Sequence, residues 1–122
     1  MRKNYLIIGG STGIGLAIVN QLNKNGVNVI STYYQSDHFE DSLNYHYLNV
    51  LDNNYDLDFV PEQLDGIVYC PGSINLAPFK RTTPESIIED FELSVLGAFK
   101  IIQQLIPNLK KAKQGSIVLF SS

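Results

Sequence analysis

The residues with the clearest capacity for chemistry form the run Gly9-Gly10-Ser11-Thr12-Gly13-Ile14-Gly15. It follows a short apolar stretch, 5–8, and leads into 13–25, where Ile14, Ala17, Ile18 and Leu22 keep helical spacing. A turn between a strand and a helix collects unpaired N–H groups at the positive end of the helix dipole. Glycines let that backbone bend sharply and close on a ligand without a Cβ in the way. Together these features suit a pyrophosphate, with the Ser11 and Thr12 hydroxyls as further donors; the plainer alternative is a tight structural turn. The turn has no Gly-Lys-Ser/Thr ending, which disfavours a nucleotide triphosphate loop.

Other reactive side chains are scattered. Cys70 has no base near it in sequence and reads as a small buried hydrophobe. His38 and His46 lack a second ligand at metal spacing, so no metal site is expected. Tyr33, Tyr34, Phe39, Tyr45 and Tyr47 read as core and sheet edge rather than a platform for stacking bases.

The elements that would position the glycine turn alternate strand and helix. Strands are expected at 5–8, 27–32, 45–50, 66–70 and 116–120; several are continuous apolar runs, as in strands buried on both faces of a parallel sheet. Gly26 sits where a helix-terminating glycine belongs. A long helix is expected over 83–113, opening on Thr83-Pro84-Glu85, with one stripe of Ile88, Phe91, Val95, Phe99, Ile102, Leu105 and Leu109. Pro107 should kink or loosen its last turns. The segment 52–62 is short, acidic and contains Pro61, which suits a loop or one poor helical turn. The pattern predicts a single α/β domain, 1–122, with a Rossmann-like doubly wound parallel sheet in the order 3-2-1-4-5.

Composition agrees with that class. The chain has 122 residues, 44% of them hydrophobic, and a formal charge of −3. A mildly acidic chain without a basic run gives no reason to expect nucleic acid or an anionic membrane surface. No segment approaches the length of a membrane span, nothing resembles a signal peptide, and a single cysteine forms no internal disulfide. The expectation is a cytoplasmic protein in a reducing compartment.

The spacing Gly9-x-x-x-Gly13-x-Gly15 resembles the Thr-Gly-x-x-x-Gly-x-Gly fingerprint of the short-chain dehydrogenase/reductase family, with Ile8 in place of the threonine. Further motifs follow in the family's order. Asn49-Val50 resembles the Asp-Val that holds the adenine amino group. Tyr69-Cys70-Pro71-Gly72 stands where the family has Asn-Asn-Ala-Gly, and Ser94-Val95-Leu96-Gly97-Ala98-Phe99 resembles its Asn-x-x-Gly-x-Phe helix motif. The run 115–122 resembles the fifth strand, ending at the catalytic serine, here Ser122. The resemblance spans essentially the whole chain.

It implies hydride transfer between a nicotinamide dinucleotide and a small carbonyl or alcohol substrate. The cofactor would lie against Gly9, Ser11, Thr12, Gly13, Ile14, Gly15, Thr32, Tyr33, Asn49, Val50, Cys70, Pro71 and Gly72. Ser94 occupies the place of the relay asparagine, and a serine is shorter and lacks the amide. At the end of the second strand, Tyr33 stands where an acid would hold the ribose hydroxyls and repel a 2′-phosphate. Its place there leans the reading toward NADP over NAD, although neither Thr12 nor Tyr34 is the basic residue that NADP-dependent relatives often carry. The resemblance also implies a homo-oligomer formed through the helix at 91–113. The family's Tyr-x-x-x-Lys pair would come about a dozen residues beyond Ser122, so the chain reads as a fragment whose isolated 122 residues are inactive. A non-catalytic dinucleotide-binding or regulatory module is the alternative.

Overall fold

The computed structural model describes residues 2–36, 44–72 and 76–120. Five strands, β1 (Asn4–Ile8), β2 (Asn28–Tyr33), β3 (Tyr45–Tyr47), β4 (Gly66–Tyr69) and β5 (Ser116–Leu119), form one sheet in the order β3-β2-β1-β4-β5. Every pairing is parallel. The direction of strand addition reverses between β1 and β4, so a crevice opens at the carboxyl ends of these central strands.

Alternation along β1 decides which layer covers which face. Leu6 and Ile8 point into a core with Ile30, Ile67, Tyr69 and the apolar side chains of the segment 48–64. Ile7 points the other way, onto Val19 and Val29, where α1 (Gly13–Lys24) packs through Ile18 and Leu22. Burial on both faces explains why these strands read as unbroken apolar runs. The segment 52–62 forms turns rather than a helix, and it still delivers Leu57 and Val60 to the core.

Several boundaries differ from expectation. β3 ends at Tyr47 instead of residue 50, because Leu48 and Val50 turn inward to the core. The other strands shift by a residue at their ends. α1 ends one residue early, with the Gly26 N–H closing onto the Asn23 carbonyl.

The expected long helix is three pieces: α2 (Pro84–Phe91), a π-helical turn at Glu92–Leu96, and α3 (Gly97–Lys110). Thr83 caps α2, its Oγ1 accepting from the Ser86 N–H at 3.2 Å. α3 continues as α-helix past Pro107 to Lys110, and the π-helical geometry falls at 92–96. The single apolar stripe is also corrected. Ala98, Ile101, Leu105 and Leu109 face the core, whereas Ile88, Phe91, Val95 and Phe99 are exposed. A π turn adds a residue to the helical repeat, which rotates the faces before and after it relative to each other.

Candidate functional site

The glycine-rich turn sits at the carboxyl end of β1 and starts α1. Gly9 and Gly13 adopt φ of +79° and +57°, the left-handed region where a Cβ is strained. A Cβ built on Gly13 meets nothing within 4 Å, so this backbone faces open space. Thr12 is the N-cap of α1, yet its side chain makes no capping hydrogen bond. The first-turn amides of α1 are thus aimed outward without a cap from within the chain, which is the state an anion would satisfy.

That open space is one cavity of about 510 Å³. It is bounded by the glycine turn, the ends of β2 and β4, and the strand exit after β3. Gly9, Ser11, Thr12, Gly13, Ile14, Gly15, Thr32, Tyr33, Asn49, Val50, Cys70, Pro71 and Gly72, all expected from the sequence, line it together. None of the described lining residues carries a charge.

Individual side chains are placed more finely than the sequence allows. Thr32 is buried, and its Oγ1 accepts from the Gly9 N–H at 3.0 Å, so its hydroxyl is turned to the glycine turn rather than to the cavity mouth. Tyr33 is half-buried and meets Tyr47 edge to face at 5.8 Å. Asn49 Oδ1 accepts from the Leu51 N–H at 3.0 Å; a carbonyl oxygen has a second lone pair, so a further donor can still be met. Val50 puts its side chain into the core while still bordering the cavity. The ring of Pro71 lies against Gly9, 3.3 Å from where a Cβ would stand. Cys70 is half-buried, and burial pushes its thiol up to about 11, which keeps it protonated and poorly nucleophilic at neutral pH.

Of the two expected catalytic serines, Ser94 is not brought together with this group. Ser94 is exposed on the π turn; its neighbour Leu93 borders the cavity and Ser94 does not. Ser122 lies outside the described residues, as do His38 and Phe39. His46 stacks flat on Phe59 at 4.2 Å on the outer strand, away from the glycine turn, and burial lowers its pKa. Among the described residues no cluster of His, Cys, Asp or Glu suits a metal ion. No helix is long and apolar enough to cross a membrane, again among the described residues.

Sequence reasoning missed Leu48, Leu51 and Leu93 as lining residues, while Tyr34, Gln35 and Ser36 line the cavity in the stretch where it weighed a 2′-phosphate. It also missed the hydroxyl of Tyr69, which donates to the Leu93 carbonyl at 2.5 Å and ties the end of β4 to the π turn. Its phenol is pushed well above its usual range, first by burial and then by Tyr55. The signal available was the departure itself: a tyrosine at the first position of a motif that otherwise carries an amide.

Comparison with known proteins gives a consistent picture. The family model for short chain dehydrogenase matches residues 55–122, more than half of the chain. Oxidoreductase BOA17 of Botryotinia fuckeliana (strain B05.10) is 26% identical over 136 residues, covering 100% of this chain and 50% of that protein. A short chain dehydrogenase family protein from Francisella tularensis subsp. tularensis SCHU S4 superposes with a TM-score of 0.80 at 25% identity, covering 100% of this chain and 52% of the other. A short-chain dehydrogenase from Streptomyces avermitilis superposes with a TM-score of 0.81 at 23% identity, covering 96% and 48%. The chain thus spans about half the length of the relatives it matches.

Proposed function

The chain belongs to the short chain dehydrogenase family, and from that premise we propose that its cavity holds a nicotinamide dinucleotide for hydride transfer with a small carbonyl or alcohol substrate. The observation that carries this reading is the uncapped start of α1 opening, through Gly13, onto the cavity at the ends of β1, β2 and β4. The residues present fit such a group. The first-turn amides of α1 would take the pyrophosphate, with Ser11 and Thr12 beside them. Asn49 would meet the adenine amino group through its side-chain oxygen. Cys70, Pro71 and Gly72 would form the wall at the end of β4, giving the nicotinamide side an apolar floor.

When bound, the nicotinamide supplies or takes the hydride. The chain's own part is to hold, orient and shield. Ser122 is proposed to orient the substrate oxygen, and Ser94 to stand in the proton path in place of the family's asparagine. Neither hydroxyl is acidic enough to donate a proton efficiently at neutral pH. For residues 1–122 alone we therefore expect cofactor binding without carbonyl turnover. The exposed position of Ser94 keeps the non-catalytic binding module as a second reading.

NADP is the proposed cofactor. The described part of the cavity beyond β2 offers Tyr33, Tyr34, Gln35 and Ser36, polar groups that accommodate a 2′-phosphate where a carboxylate would repel it. We further propose a cytoplasmic protein that self-associates through the exposed apolar face at 91–106, with Phe91, Val95, Phe99 and Ile106 as its contacts. This leaves out Leu105, which is buried in the core.

Fluorescence titration with NADPH and NADH tests the reading. Tighter binding of NADPH is expected, and Gly13→Val should remove binding of both, since its side chain would enter the cavity at a left-handed position. Equal binding by wild type and variant would refute the site.

A further inference from the structure

The glycine turn is fixed from outside its own sequence. The Gly9 N–H donates to Thr32 Oγ1 and the Gly10 N–H to the Thr32 carbonyl, each at 3.0 Å. The Gly10 carbonyl accepts from the Tyr45 hydroxyl at 2.6 Å. Beneath them Ser31 Oγ donates to the Ile7 carbonyl at 2.9 Å, and it lies 1.9 Å from where a Cβ on Gly10 would be. Consecutive peptide groups of the turn are therefore held by the Thr32 side chain and carbonyl on β2 and by the Tyr45 hydroxyl on β3.

We propose that Thr32 and Tyr45 are positioning residues that brace the glycine turn in its ligand-ready shape. Glycine loses more conformational freedom on ordering than any other residue, so a turn with glycine at 9, 10, 13 and 15 is costly to fix. If that cost fell at the moment of binding, it would weaken affinity directly. Position 8 gives no polar help, because Ile8 is fully buried in the core. Thr32 is 2% exposed, so the Gly9 amide has little water to turn to once that hydroxyl is gone. Tyr45 acts at the opposite side of the same loop, and it also contacts Ser31. Burial raises its phenol, partly offset by that contact with Ser31, so it stays a donor throughout the physiological range. A side chain that the resemblance would place against the cofactor is thus assigned to the backbone that would cradle the phosphates.

The inference rests on the dinucleotide reading for its purpose, but its first measurement does not need a cofactor. Amide hydrogen exchange read by NMR on the ligand-free protein should show Gly9 exchanging on the order of tenfold faster in Thr32→Val. Gly10 and Ser11 should do so in Tyr45→Phe, while amides of β1 and β4 keep their wild-type rates. Thr32→Ser restores the oxygen and should restore the Gly9 rate. NADPH should bind both hydroxyl-less variants on the order of tenfold more weakly, with Thr32→Ser near wild type. Unchanged exchange at Gly9 in Thr32→Val overturns the brace. So does acceleration spread evenly over the whole sheet, which would mark a general loss of stability. Wild-type protein that binds neither NADPH nor NADH, while the exchange effects stay confined to the turn, refutes the dinucleotide reading and upholds the brace.

Discussion

Replacing Tyr69 by phenylalanine removes one oxygen atom from the carboxyl end of β4, and the structure says what that atom does. The side chain is 1% exposed, and its hydroxyl donates to the Leu93 carbonyl at 2.5 Å. At the π turn the Gly97 N–H bonds back to the Glu92 carbonyl, a five-residue step, and the Leu93 carbonyl turns toward Tyr69. Phenylalanine keeps the ring in the core but takes away this donor. Leaving a buried acceptor unpaired costs about 1–3 kcal/mol. Gly97 completes the arrangement: a Cβ there would stand 2.6 Å from the tyrosine oxygen. Alanine ordinarily favours a helix by up to about 1 kcal/mol over glycine, so Gly97→Ala should instead destabilise, because the hydroxyl must give way. In Tyr69→Phe the obstructing oxygen is absent, and the same Gly97→Ala change should cost less or stabilise. Urea unfolding of wild type, both single variants and the double variant measures the coupling, with ~1 kcal/mol or more expected. A Tyr69→Phe protein within about 0.3 kcal/mol of wild type, or additive single changes, would refute the claim that this hydroxyl fixes the π turn.

Thr83→Ala removes the acceptor for the Ser86 N–H and should cost about 1 kcal/mol, read in the same unfolding assay. Cys70, with its thiol raised by burial from 9.0 to about 11, should react slowly with iodoacetamide at pH 8 and faster toward pH 11. Linkage gives the matching stability trend. The unfolded thiol ionises first as pH rises, so the stabilisation present below pH 9 is lost between about 9 and 11; Cys70→Ala should flatten that part of the pH–stability curve. Phe99→Glu, on the exposed apolar face of α3, should shift sedimentation toward a smaller species, and an unchanged sedimentation coefficient would count against self-association there.

The buried parallel strands and the glycine turn were legible because their signals are local, and the sheet order followed from the fold class they mark. Runs such as Leu6-Ile7-Ile8 are apolar at every position only if both faces are covered, and a glycine-rich turn directly after such a run marks where the chain enters its first helix. The segment that follows β3 shows the limit of this reasoning. Residues 45–50 look like one β-rich stretch, yet only Tyr45–Tyr47 pair with β2. Leu48 and Val50 gain more by burial against Leu57, Val60 and Ala98 than by extending a ladder at the sheet edge.

The interruption of the long helix had no local signal of the expected kind. Pro107, the residue that propensity marks as a breaker, lies within α3, and the π turn falls on Glu92–Leu96, a stretch without proline or glycine. The physical partner of that turn is Tyr69, far away in sequence and joined to it through one hydroxyl. Thr32 teaches the same lesson at the site. It was expected against the cofactor, and only the folded structure shows its hydroxyl turned inward to Gly9. Composition and spacing reveal where a cavity forms because they act through neighbouring backbone. Which hydroxyls brace the walls and which face the ligand depends on contacts between strands, and a side chain already committed to the backbone has less freedom to meet a cofactor. Under the proposed NADP reading, selectivity for the 2′-phosphate would fall on Tyr33, Tyr34 and Ser36, with Thr32 left to hold the glycine turn.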